Sequence, residues 1–346
     1  MNVERHGEEG PSLSGPLFSV RREARKEATR SARPEAGVEH LLLGLLADGG
    51  PSARVLVRAG VDLPRLRAAV VDLQDLPGPA VAVPPALQRS VAYYDQLDGG
   101  LRGGGTPFNG RAWELLGQFR DGLGDDRQLL LLLLDDPRVV RVLERVGVDL
   151  PVLRRTVRDG LARPADAGAP SQDRDDVADS GNDVAPPWGG AWTEARYSRL
   201  VPVAPEQVWA VLVSPQRRPE WDPRCGSVEV DPHRPGRFGT RDRQGEGPRL
   251  AVVTRQVPGH EVWWERARGG AEPSGRSWTE QARLEREGVG TVLHLRLRWP
   301  RPGGVRRLLR PLSVLIGRTV LRSMAERLTQ AASRPAQAQR EHGGDA

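Results

Sequence analysis

Side chains able to move a proton are scarce in this chain, and their surroundings limit what they can do. His260 and Glu261 follow Pro258-Gly259 and precede Val262-Trp263-Trp264, so a general acid–base pair beside an aromatic strand is the first catalytic candidate. His260 itself reads as a turn residue. His294 alternates with Leu293 and Leu295, which puts it on the opposite face from the apolar side chains. The single cysteine, Cys225, has Arg224 beside it but no His or Asp at a spacing that would activate a thiolate. No two His or Cys have metal-ligand spacing. Lys26 is the only lysine and has no glycine near it, which excludes a Walker-type phosphate loop and any Schiff-base lysine further along. These groups form no catalytic constellation, and they imply no cofactor.

Side chains suited to binding are more plentiful. Eight of the nine tryptophans lie at or beyond Trp188. Trp209, Trp221, Trp264 and Trp278, with Leu295 and Leu315, could wall an apolar cavity for a lipid, polyketide or isoprenoid. Gly317 would let a neighbour approach a helix backbone closely. For any one of these tryptophans packing is the plainer reading than ligand contact, and the cavity as a whole is better founded than any single lining residue.

The elements that would position them are legible. Ala204-Pro205 opens a helix in which Val208, Trp209 and Leu212 are apolar, with proline where a missing N–H costs nothing. Pro215 stops that helix, and a short helical turn follows around Glu220-Trp221. Strands are expected from Trp192 to Val203, Ser227 to Val230, Arg237 to Arg243, Leu250 to Val257, Val262 to Arg266, Trp278 to Leu284 and Thr291 to Trp299. A last helix, Arg306 to Ala332, carries Val314, Gly317, Leu321, Met324, Leu328 and Ala331 as one stripe. Leu315, Ile316, Thr319 and Val320 make a second apolar side.

The order strand, Ala-Pro, helix with Val208-Trp209, then Trp221-Asp222-Pro223, resembles the START-like superfamily, specifically its polyketide cyclase/dehydrase and lipid-transport (SRPBCC) families. Pro258 to Trp264 and Gly288 to Leu293 resemble the late strands of the same family. The resemblance implies an α+β helix-grip over Trp192 to about Ala332: a curved antiparallel sheet around a long C-terminal helix, with an apolar ligand between. Some relatives are cyclases or dehydratases with an acid–base group in the cavity.

In the first half Gly60-Val61-Asp62-Leu63-Pro64 returns as Gly147-Val148-Asp149-Leu150-Pro151, an offset of 87 residues that marks two copies of one helical unit. The string Glu39-His40-Leu41-Leu42-Leu43-Gly44-Leu45-Leu46 closely resembles the Clp N-terminal repeat. That family implies an all-α duplicated domain that docks adaptors or substrate proteins. In it the acid before the His is implicated in capturing modified-arginine tags, a role that would fall to Glu39 and to its offset equivalent Asp126. Acids at helix starts are also favoured by the helix dipole alone. No ATPase module follows.

Composition sets the remaining bounds. With 346 residues, 38% hydrophobic and 28% charged, the chain is long enough for two ordinary domains. It has no apolar run of 18 residues and no apolar signal core at its start, so a cytoplasmic protein is the plain expectation. The expected divisions are 1–18 disordered, 19–162 the helical repeat, 163–190 an acidic tether, 191–332 the START-like domain and 333–346 a disordered tail. From Ala191 onward there are 27 Arg against 17 acids, so the basic excess belongs to the second half. Arg301, Arg306, Arg307 and Arg310, beside Leu308 and Leu309, could rest on an anionic membrane surface. Nucleic acid is not expected, since no recognition motif or stacked-aromatic platform accompanies the charge. The functional expectation is a protein-docking module tethered to a binder of hydrophobic small molecules. The alternatives are a polyketide cyclase/dehydratase-type enzyme and an adaptor in protein quality control.

Overall fold

The computed structural model describes residues 17–74, 106–119, 125–162, 192–242, 249–268, 277–300 and 310–334. The expected tether 163–190, the acidic start of the chain, most of the segment 75–108, and Arg301, Arg306 and Arg307 lie outside these residues. The chain divides into two compact units, 1–164 and 165–346.

Among the described residues the regular elements of the first unit are all helices: α1 (Leu17–Arg30), α2 (Val38–Asp48), α3 (Pro51–Arg58), α4 (Leu63–Gln74), α5 (Gly110–Gly117), α6 (Asp126–Leu134), α7 (Pro137–Val146) and α8 (Leu150–Ala162). The repeated pentapeptide does the same work twice. Gly60 ends α3 at φ +86° and Gly147 ends α7 at φ +87°, left-handed positions that glycine takes without strain. Asp62 then accepts from the Arg65 N–H at 2.8 Å, and Asp149 from the Val152 N–H at 3.0 Å, so each aspartate caps the following helix. A short bridge between Ala36 and Phe108 ties the two copies together.

Gly44 explains the small residue inside the leucine run of α2. A Cβ there would lie 2.6 Å from the Val20 carbonyl oxygen and 2.8 Å from the Ala24 nitrogen, so α1 and α2 touch backbone to backbone at this point. Rigid helix atoms cannot yield as a flexible side chain would.

The second unit is a seven-stranded antiparallel sheet and one long helix. Its elements are β1 (Trp192–Val201), α9 (Pro205–Val213), a 3₁₀ turn (Pro215–Arg217), α10 (Arg218–Trp221), β2 (Cys225–Val230), β3 (Arg237–Asp242), β4 (Arg249–Val257), β5 (Glu261–Arg268), β6 (Trp278–Glu287), β7 (Gly290–Pro300) and α11 (Arg310–Ala332). Strand order is β1-β7-β6-β5-β4-β3-β2. This is a helix-grip, with α11 packed along β1 and β7 and against α9 and α10. β6 runs three residues further than the apolar alternation indicates, because its ladder with β7 continues to Glu287 opposite Gly290 and turns at Gly288, φ +58°.

The stripe Gly317, Leu321, Met324, Leu328 and Ala331 faces the sheet, and all five are buried. Of the second apolar side only Val320 packs partly against the core; Leu315 and Ile316 are 61% and 56% exposed. At 3.6 residues per turn, a helix that turns Gly317, Leu321 and Met324 inward must turn Leu312, Leu315, Ile316 and Thr319 outward.

Candidate functional site

Alternation on the strands decides which side chains enter the grip. β5 sends Val262, Trp264 and Arg266 inward, β6 Glu280, Ala282 and Leu284, β7 Leu293, Leu295 and Leu297, and β3 Phe238 and Thr240; the bulk of these are buried. α10 adds Trp221 and, three residues earlier, Arg218. The Trp221 and Trp264 rings lie 5.8 Å apart at 47°. Over them sits the Arg218 guanidinium, 4.8 Å from the Trp221 ring, 5.0 Å from Trp264 and 5.7 Å from Phe238, a cation held between three aromatic faces.

Arg218 belongs to a buried cluster of five charges. Its Nε donates to Asp222 Oδ2 at 3.4 Å and its Nη2 to Glu280. Arg266 Nη1 donates to the same Asp222 oxygen at 3.1 Å and to Glu280 Oε1 at 3.0 Å. Arg224 donates to Asp222 Oδ1 at 3.2 Å and to Glu280 Oε1 at 2.5 Å, with its Nη2 3.9 Å from Met324 Sδ on α11. Side-chain exposure is 0–5% for all but Arg224, at 17%. Burial alone would raise the Glu280 pKa, but Arg266, Arg218 and Arg224 outweigh it and hold the carboxyl at about 2. Burial is likewise overcome at Asp222, where Arg224, Arg266 and Arg218 push the carboxyl far below the usual range. Both acids are therefore ionised at neutral pH, as acceptors and not as proton donors.

The residues expected to line a cavity separate into groups. Trp221, Trp264 and Leu295 come together in the core, with Trp209 and Trp278 partly buried against it. Leu315 is on the outer side of α11. Gly317 is approached closely, but by the sheet itself: a Cβ there would meet Ala195 Cβ at 2.9 Å and the Trp299 ring at 3.0 Å. The acid–base candidates lie elsewhere. His260 is exposed in the β4–β5 turn, its Nδ1 3.1 Å from the Leu284 carbonyl oxygen. Glu261 faces away from Val262 and Trp264 and accepts from Trp263 Nε1 and from Gln281 Nε2 at 3.1 Å. His294, also on that outer face, bonds Ser198 Oγ at 2.8 Å.

In the first unit Glu39 and Asp126 occupy the first turns of α2 and α6. Asp126 Oδ2 accepts from the Ser52 N–H at 2.9 Å, so it caps α3 across the repeat. Burial raises the Asp126 pKa, and the Ser52 bond tempers the rise. His40 turns back on its own helix start, with Nδ1 accepting from the Gly37 N–H at 3.0 Å and Nε2 lying 3.2 Å from Ser31 Oγ. Burial lowers its pKa against the opposing pull of Glu39.

The charged cluster was missed from sequence. Its signal is present: Arg266 and Glu280 occupy the inward phase of strands whose neighbours in that phase are Val262 and Trp264, or Ala282 and Leu284. A charge on the apolar beat of a strand marks either a buried pair or an error of phase.

Residues 19–88 match the family model of the Clp repeat (R) N-terminal domain, and residues 193–334 that of polyketide cyclase / dehydrase and lipid transport. Comparison with curated proteins gave no match. Among solved structures the chain is similar to a START superfamily protein from Mycobacterium smegmatis, at 14% identity over 40% of this chain and 96% of that one, TM-score 0.32. A protein of unknown function from Staphylococcus aureus gives 15% over 44% and 98%, TM-score 0.36, and a protein from Mesorhizobium loti 17% over 40% and 95%, TM-score 0.32.

Proposed function

From a chain that joins a Clp repeat N-terminal domain to a polyketide cyclase/dehydrase and lipid-transport domain of the START-like type, we infer a protein that docks a protein partner through its first unit and holds a hydrophobic small molecule in its second. The observation that carries this reading is the convergence of Trp221, Trp264, Phe238 and Leu295 on the inner face of the grip, a wall of the kind that apolar ligands occupy. The catalytic alternative has less support, since His260 is exposed in a turn and Glu261 faces away from that wall.

The test is extraction of the purified full-length protein followed by mass spectrometry. The expected result is an apolar small molecule retained in roughly equimolar amount and recovered unchanged after incubation. An empty protein that takes up nothing from a lipid extract would overturn the reading, and a converted molecule would replace it with the enzyme. For the first unit, capture of a partner by the full chain should weaken with Glu39→Ala if the docking role belongs there.

A second reading, peripheral contact with an anionic membrane in a cytoplasmic setting, is favoured by one observation. Leu312, Leu315 and Ile316 present an exposed apolar strip at the start of α11, where Arg310 opens the helix. Among the described residues no helix is long and apolar enough to cross a membrane. The chain should sediment with vesicles containing anionic lipid, and Leu315→Glu should reduce the bound fraction several-fold. Equal sedimentation of that variant, or no sedimentation of either protein, removes the membrane reading.

A further inference from the structure

The interior of the grip is not evenly apolar. Three arginines, Arg218, Arg224 and Arg266, face two carboxylates, Asp222 and Glu280, which leaves one positive charge in excess in this cluster among the described residues. The same place holds three buried N–H groups, Arg218 Nη1, Arg266 Nε and Trp221 Nε1, with no acceptor among the described residues. Their side chains are at least nine-tenths buried, at 1%, 6% and 1% exposure by residue. They are neighbours: Arg218 lies over the Trp221 ring, and it shares Asp222 and Glu280 with Arg266. Buried donors are ordinarily paired, and a buried cation without a counter-charge is costly. Unpaired donors, surplus positive charge and aromatic walls at one locus have a single chemical complement. It is a molecule with an anionic acceptor at one end and an apolar body.

We propose that the ligand of the second unit is an amphipathic acid whose carboxylate accepts from Arg218, Trp221 and Arg266 while its apolar part lies among Trp264, Phe238 and Met324. One carboxylate brings the count to three guanidiniums and three acids. A neutral lipid would offer an acceptor but no charge balance, and a small free anion would leave the aromatic wall unused. The proposal rests on the reading of this unit as a binder of hydrophobic molecules and narrows it to acids.

The test compares decanoate, decanol and acetate by titration calorimetry with the intact chain, together with the indole N–H signals in a proton–nitrogen correlation spectrum. Decanoate is expected to bind at least about tenfold more tightly than decanol, the scale of one hydrogen bond to a charged group. Acetate should bind far more weakly than decanoate. The Trp221 indole signal, identified by its loss in Trp221→Phe, should move with decanoate and stay with decanol; the affinity ratio itself needs no variant. Decanol binding as tightly as decanoate, or an unmoved Trp221 signal, overturns the acid preference and leaves the apolar-ligand reading standing, whereas acetate matching decanoate overturns the amphipathic proposal by showing that the apolar body adds nothing. Absence of binding by both ten-carbon compounds, with nothing apolar retained on extraction, overturns both.

Discussion

Glu280→Gln lowers the stability of the second unit by about 3–5 kcal/mol, the range for removing one partner from a buried ionic cluster. Glutamine keeps the volume but carries no charge, so Arg218, Arg224 and Arg266 are left with Asp222 alone, in a place where three of the four side chains are at most 5% exposed. Tryptophan emission isolates the effect, since Trp113 is the only tryptophan before residue 165. The fluorescence-detected urea midpoint should fall by roughly 2 M, given an m-value of ordinary size for a domain of this length. The effect also has a pH signature. The folded pKa of Glu280, about 2, lies below its ordinary 4.5, so its stabilisation is present above pH 4.5 and is lost as pH falls from 4.5 through 2. Wild type and variant should therefore converge in acid. A midpoint within about 0.3 M of wild type at pH 7 would mean that the cluster is hydrated and its charges do not depend on one another.

Local geometry was legible wherever one residue type has one physical use. Gly60 and Gly147 mark helix ends because the left-handed backbone they take is nearly closed to other residues. Asp62 and Asp149 mark helix starts because a carboxylate there satisfies a free N–H. Leu293, Leu295 and Leu297 mark a strand with one buried face, and the stripe from Gly317 to Ala331 marks the face of α11 that meets the sheet. The interior chemistry was not legible in the same way. Arg218, Asp222 and Arg224 come from one short segment, but Arg266 and Glu280 come from two strands, and only the β5–β6 register, with Trp264 opposite Glu280 and Arg266 opposite Trp278, brings them in front of it. In a chain with 50 arginines, a charge in an apolar phase is easily read as one more solvated side chain. Leu315 shows the converse case. Apolar character says that a side chain prefers burial, and the helix register decides whether it obtains it.

Arg67→Met destabilises the first unit by about 3 kcal/mol, at the lower end of the range for breaking a buried ion pair. Arg67 on α4 grips Glu27 on α1 with two bonds, Nε to Oε2 at 2.8 Å and Nη2 to Oε1 at 2.7 Å, and Arg30 supplies a third partner from the same helix as Glu27. The glutamate side chain is 3% exposed and that of Arg67 16%, whereas Arg30 is 35% exposed and less able to compensate. Methionine retains most of the stem packing, so the loss isolates the charge pair. Burial works to raise the Glu27 pKa, but Arg67 and Arg30 prevail and hold it below its ordinary 4.5. The stabilisation is thus complete above 4.5 and declines as pH drops through the lowered value, and without Arg67 the carboxyl should rise. The variant's deficit should be largest at neutral pH and shrink in acid, read from the helical circular dichroism transition while the tryptophan transition stays in place. Adding Glu27→Gln should recover part of the loss, because two apolar or neutral groups of matched shape cost less than one stranded charge. A double variant as unstable as the sum of its singles would show that Arg67 and Glu27 act independently, with the close contact between α1 and α2 at Gly44 fixing α1 without the α4 pair.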